Sequence, residues 1–167
     1  MSKKTPLVGI VMGSASDLEH VQPCVDALEQ LGVALELTVA SAHRTPERSA
    51  EYAKGAAARG LKVIIAAAGW AAHLPGVLAA YTNLPVIGLP IGSSPLGGTD
   101  ALYAIVQMPP GVPVATVGIN SGRNAGILAA QIIALGDEQV AARLLSARES
   151  MAQKVIAAAR QIEEPSD

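Results

Sequence analysis

The sequence predicts a three-layer α/β/α domain around a five-stranded parallel sheet. Two observations carry that expectation. Short apolar runs alternate five times with helix-like stretches, the pattern of βα units joined by right-handed crossovers. The apolar half of the chain is drawn largely from Ala, Val, Ile and Leu, with no Phe and one Trp, which suits thin, closely packed layers. At 167 residues the chain fits a single domain, 1–167, with its α/β core over about 7–135.

Residues 7–12 read as a buried strand ended by Gly13. Asp17 opens a helix whose inner face carries Leu18, Val21, Val25, Leu28 and Leu31, and Gly32 closes it. Cys24 falls in this helix as a core thiol, and His20 lies on its surface. Residues 33–40 form the second strand. Thr45 is the expected N-cap and Pro46 the first residue of a helix that runs to about Arg59 and stops at Gly60. Residues 61–67 are the third and most apolar strand, followed by a short helix after Pro75. The fourth strand, 85–90, opens into a glycine-rich loop at 91–98. A helix near 101–107, a fifth strand at 112–119 and an Ala-rich helix at 124–135 complete the unit. A long helix over about 137–162 comes last. Its apolar positions Val140, Leu144, Ala147, Met151, Val155, Ala158 and Ile162 recur every three or four residues. The five strands already have their helices, so this stripe is expected to reach over a neighbouring subunit.

Composition removes several functions. Net charge is −2 and only 16% of residues are charged, with no basic stripe and few aromatics, so no nucleic-acid partner is expected. No apolar run is long enough to span a membrane. Lys3 and Lys4 lead straight into a strand rather than a signal peptide, so a cytoplasmic location is expected. Sparse charge on a small domain also favours self-association. The lone cysteine forms no internal disulfide, and no His, Cys or carboxylate cluster has metal-ligand spacing.

The chemistry lies in the loops after the strands. In a parallel sheet these loops open at the carboxyl edge, where ligands bind. The first, Gly13-Ser14-Ala15-Ser16-Asp17, joins a strand to a helix N-terminus. Backbone N–H groups, the helix dipole and two serine hydroxyls favour an anion there. Asp17 either caps the helix or accepts from sugar hydroxyls. The loop is neither Gly-x-Gly-x-x-Gly nor a Walker motif. The second loop, Ser41-Ala42-His43-Arg44-Thr45-Pro46, adds a guanidinium suited to the same phosphate and an imidazole suited to proton transfer. The third, Gly69-Trp70-Ala71-Ala72-His73-Leu74-Pro75-Gly76, is nearly all small residues before a second imidazole. No Gly-x-Ser-x-Gly elbow is present. A phospho-receiver domain needs acidic residues at strand ends, where this chain has Ala67-Ala68-Gly69. The set fits metal-free proton-transfer chemistry on a small phosphorylated molecule.

Together, Met12-Gly13-Ser14-Ala15-Ser16-Asp17, Ser41-Ala42-His43-Arg44-Thr45-Pro46, Ala71-Ala72-His73-Leu74-Pro75-Gly76 and Ile105-Val106-Gln107-Met108-Pro109 resemble the class I N5-carboxyaminoimidazole ribonucleotide mutases of purine biosynthesis. The resemblance runs from about Leu7 to Leu135. It implies a flavodoxin-like fold, no metal or organic cofactor, a homo-octamer, and isomerisation through trapped carbon dioxide. It implies that Ser14 and Arg44 hold the phosphate, with Ser16 and Ser41 nearby, and that Asp17 binds the ribose. His43 becomes the proton-transfer residue. His73, with Gly69, Ala71 and Ala72, becomes the wall of the base and carbon dioxide pocket. The chain departs from the common pattern at Ala67 and at Trp70, where many members have glycine. The favoured place for the Trp70 ring is a subunit contact, the other being the pocket itself. Two other functions stay open: carboxylation or decarboxylation of aminoimidazole ribonucleotide or a related azole nucleotide, and nucleotide binding without catalysis.

Overall fold

The computed structural model describes residues 5–163, so Lys3 and Lys4 lie outside it. The elements follow the expected alternation: β1 Val8–Met12, α1 Leu18–Gln30, β2 Leu35–Val39, α2 Pro46–Ala56, β3 Val63–Gly69, α3 Leu74–Ala80, β4 Val86–Ile91, α4 Thr99–Val106, β5 Ala115–Thr116, α5 Gly122–Ala134 and α6 Glu138–Glu163. All strand pairs are parallel, in the order β2-β1-β3-β4-β5. That is the flavodoxin-like order, with its switch point between β1 and β3.

Both faces of the sheet are covered, so its central strands are apolar at every position. Val8, Ile10, Met12, Val63, Ile65, Ala67, Ile87, Leu89 and Ile91 pack on α1 and α5. Val11, Ile64, Ala66 and Ala68 pack on α2, α3 and α4 through Ala53, Ala56, Leu74, Leu78, Ala101 and Ile105. The period-two alternation of strand side chains divides the core this way. Small residues set the layer spacing: a Cβ on Gly126 of α5 would stand 2.7 Å from the Cys24 carbonyl of α1. Cys24 is fully buried, and burial pushes its thiol pKa up to about 12.

Four expectations need correction. The fifth strand shrinks from eight expected residues to two, Ala115–Thr116. Pro113 offers no N–H, and past Thr116 only Val117 N and Asn120 N still bond to β4 before the chain turns at Asn120, which sits at φ 55°. Leu18 is exposed, because it opens α1 beyond the strand ends that would cover it. Thr45 precedes α2 but makes no side-chain cap; its hydroxyl accepts from Ser41 N at 2.9 Å and donates to Ser41 O at 3.1 Å. The stripe of α6 divides in two: Val140 is buried and Leu144 and Ala147 pack on the domain, whereas Met151, Val155, Ala158 and Ile162 are exposed. Among the described residues no helix is long and apolar enough to cross a membrane.

Candidate active site

The loops after β1, β2 and β3 meet at the switch point and enclose a cavity of about 430 Å³. After β1, Ser14 caps a 3₁₀ turn over Ala15–Asp17 that leads into α1. The Ser14 hydroxyl accepts from Ser16 N at 3.3 Å and from the Ser16 hydroxyl at 2.8 Å. Asp17 closes a capping box by accepting from Ser14 N at 3.1 Å. Its carboxyl is buried, and desolvation raises its pKa above the ordinary value. The Ser14 amide and the charges of His20 and Arg44 pull it back without cancelling the rise.

After β2, Arg44 is tied to the end of β1. Its Nη2 donates to Gly13 O at 3.2 Å and its Nε to the Ser41 hydroxyl at 3.4 Å. Ser41 therefore orients the guanidinium, and it also accepts from Arg44 N at 3.2 Å. These acceptors are neutral, and among the described residues Arg44 has no carboxylate partner within ion-pair distance. Its charge acts on the Asp17 carboxyl across the cavity without forming an ion pair with it.

After β3, two short-range bonds shape the loop: Ala72 N donates to Trp70 O at 2.9 Å, and His73 N to Ala71 O at 2.7 Å. Just before them Trp70 sits at φ 56°, a left-handed conformation that costs a side-chain-bearing residue about 1–2 kcal/mol. The two bonds set His73 at the head of α3. There His73 Nδ1 meets His43 Nε2 at 2.8 Å, with the rings edge to face at 78°. One nitrogen must donate and the other accept, so the two tautomers are linked. Gly69 is required by close approach: a Cβ would collide with the Ser93 hydroxyl and stand 3.1 Å from Ile91 O.

Nine of the expected residues line the cavity: Ser14, Ser16, Asp17, Ser41, His43, Arg44, Gly69, Ala71 and His73. Ala72 does not; it is buried behind the wall among core residues of the α2–α3 side. Ser93 joins the lining from the loop after β4. The glycine-rich composition of that loop marks it as a binding segment, but nothing in its sequence singles out Ser93. Trp70 is also in the lining and is exposed. Among the described residues no three His, Cys, Asp or Glu side chains gather as a metal cluster.

The fold is a flavodoxin-like α/β domain, and the cavity lies at the switch point of its parallel sheet, where such folds bind ligands. Residues 7–154 match the family model described as AIR carboxylase. The N5-carboxyaminoimidazole ribonucleotide mutase of Thermotoga maritima is 52% identical over 159 residues, covering 95% of this chain and 93% of that protein. The phosphoribosylaminoimidazole carboxylase of Schizosaccharomyces pombe is 52% identical over 160 residues, which are 96% of this chain but 29% of that longer protein. The crystal structure of Treponema denticola PurE superposes with a TM-score of 0.86 at 32% identity, covering 95% of this chain and 99% of that one. The chain belongs to the AIR carboxylase family.

Proposed function

We propose that this enzyme is a mutase of purine biosynthesis that converts N5-carboxyaminoimidazole ribonucleotide to 4-carboxy-5-aminoimidazole ribonucleotide. The observation that carries the reading is the 2.8 Å His43–His73 pair in the same cavity as Arg44 and the serine loop. Family membership and the mutase relatives at about half identity support it.

Arg44, Ser14 and Ser16 hold the phosphate, with Ser41 fixing the guanidinium. Asp17 accepts from the ribose hydroxyls. The N5–carboxyl bond breaks, carbon dioxide departs, and His43 delivers a proton to N5. Carbon dioxide stays against the small-residue wall of Gly69, Ala71 and, behind it, Ala72. The electron-rich C4 attacks it, and His43 then removes the C4 proton, which restores the aromatic ring. One proton is given and one is taken, so the isomerisation is balanced. His73 orients His43 through their hydrogen bond and bounds the carbon dioxide pocket. Confinement raises the local concentration of carbon dioxide and keeps water from competing.

The working form is a homo-oligomer, an octamer on the resemblance to the mutases, in the cytoplasm. The exposed Met151, Val155, Ile156 and Ile162 of α6 supply apolar surface for a neighbouring subunit. The deciding experiment supplies N5-carboxyaminoimidazole ribonucleotide without ATP or metal and follows the 4-carboxy product. Product formation is expected. No product from that substrate, together with product from aminoimidazole ribonucleotide and carbon dioxide, would overturn the mutase reading in favour of a carboxylase.

A further inference from the structure

On the functional reading above, we propose that Trp70 is a specificity-determining residue whose indole covers the face of the heterocycle of the bound ribonucleotide. The backbone gives the first reason. Trp70 is one of two non-glycine residues at positive φ among the described residues, and it lies between Gly69 and the loop that positions His73. A strained conformation held at a site by its surroundings points to a use for that conformation. Here it places a large side chain at the cavity wall on the same strand-end loop as the imidazole.

The side chain gives the second reason. Trp70 is 58% exposed and belongs to neither core cluster, so its indole contributes little to packing within the chain. It is also the only Trp in a sequence without Phe. The rest of the lining supplies donors, a carboxyl, small aliphatic surface and two imidazoles already engaged with each other. Trp70 alone in the lining offers a broad unpaired π surface, which suits the flat face of an aminoimidazole rather than a phosphate or a sugar.

A single tryptophan makes the test direct. The intrinsic emission is titrated with 4-carboxy-5-aminoimidazole ribonucleotide and, separately, with ribose 5-phosphate, at fixed protein concentration. Binding of both is measured in parallel by calorimetry. The nucleotide is expected to change the emission saturably, and ribose 5-phosphate to leave it nearly unchanged. Trp70→Gly takes up φ 56° without strain and so folds. It is expected to raise KM about tenfold while kcat stays within about threefold, and Trp70→Phe to recover most of the loss. Calorimetric binding of the nucleotide with no change in emission would overturn the proposal. So would an emission maximum that shifts in a separate protein dilution series but not with nucleotide, which marks a subunit contact, or a Trp70→Gly enzyme with unaltered KM. Absence of any calorimetric binding overturns the functional reading itself, and the proposal with it.

Discussion

Replacing Arg44 by Ala tests the electrostatic centre of the site. The guanidinium is held by Gly13 O at 3.2 Å and the Ser41 hydroxyl at 3.4 Å, and among the described residues no carboxylate forms an ion pair with it. Its bonds within the chain are exposed, so their loss should cost under about 1 kcal/mol of stability. A hydrogen-bonded charge on a phosphate contributes about 1.5–3 kcal/mol, so Kd should rise about 10- to 150-fold. The effect is legible in melting curves. Ligand at about 100 times the wild-type Kd stabilises by about 2.7 kcal/mol, or about 5–11 °C for a domain of this size. If Kd rises about 30-fold, the same ligand concentration supplies about 0.9 kcal/mol, or about 2–4 °C. Differential scanning fluorimetry with aminoimidazole ribonucleotide, checked by calorimetry, reads both numbers. An Arg44→Ala protein with wild-type ligand stabilisation would refute the phosphate role. A lowered melting point with unchanged Kd would make Arg44 a structural tie between strand ends.

His43→Asn should keep nucleotide affinity within about threefold and lose about 10²- to 10⁴-fold in turnover, measured by isomerisation assay; unchanged turnover removes His43 from proton transfer. Gly69→Ala drives a methyl into the Ser93 hydroxyl, so kcat/KM should fall at least about tenfold and urea stability by about 1–3 kcal/mol; wild-type kinetics would show that the contact yields freely. Burial raises the Asp17 carboxyl pKa, so its stabilising contribution is complete below the ordinary carboxylate range and fades as pH rises through the raised value. Wild-type stability relative to Asp17→Asn should therefore decline in urea titrations as pH rises above the ordinary carboxylate range, and a pH-independent difference would contradict the assigned burial effect. Ending the chain after Arg148 keeps Val140, Leu144 and Ala147 on the domain but removes the exposed apolar half of α6. Light scattering should report a smaller assembly, and an unchanged mass would refute the role of α6 in it.

Much of this architecture is legible because the core strands and the first three strand-end loops obey short-range rules. Val63–Gly69 is apolar on both faces, and only a covered parallel strand makes use of that. Asp17 and Pro46 mark helix starts through local chemistry, although the capping residue at the first start is Ser14, with Asp17 closing the capping box. What escapes the sequence depends on distant neighbours. The contraction of β5 depends on how the segment around Pro113 and Asn120 departs from β4, since Val117 N and Asn120 N still bond to Gly88 O and Pro90 O without extending the strand. Ser93 enters the lining because the loop after β4 folds back over Gly69, a long-range contact with no local signature. The removal of Ala72 from the cavity follows from two consecutive tight bonds around a left-handed Trp70, a turn its composition does not announce. The 2.8 Å link between His43 and His73 is likewise visible only once the second and third loops stand side by side.

The bond between the hydroxyls of Ser14 and Ser16, 2.8 Å long, has a practical consequence at the bench. The bond uses the Ser16 proton but not the Ser14 one: Ser14 accepts from Ser16 N and from the Ser16 hydroxyl, which leaves its own O–H to donate to an incoming oxyanion. That hydroxyl and the charge of Arg44 both treat sulfate and phosphate much alike. Sulfate or phosphate buffers should compete with nucleotide in every assay of this enzyme, so kinetic comparisons between variants belong in buffers free of both.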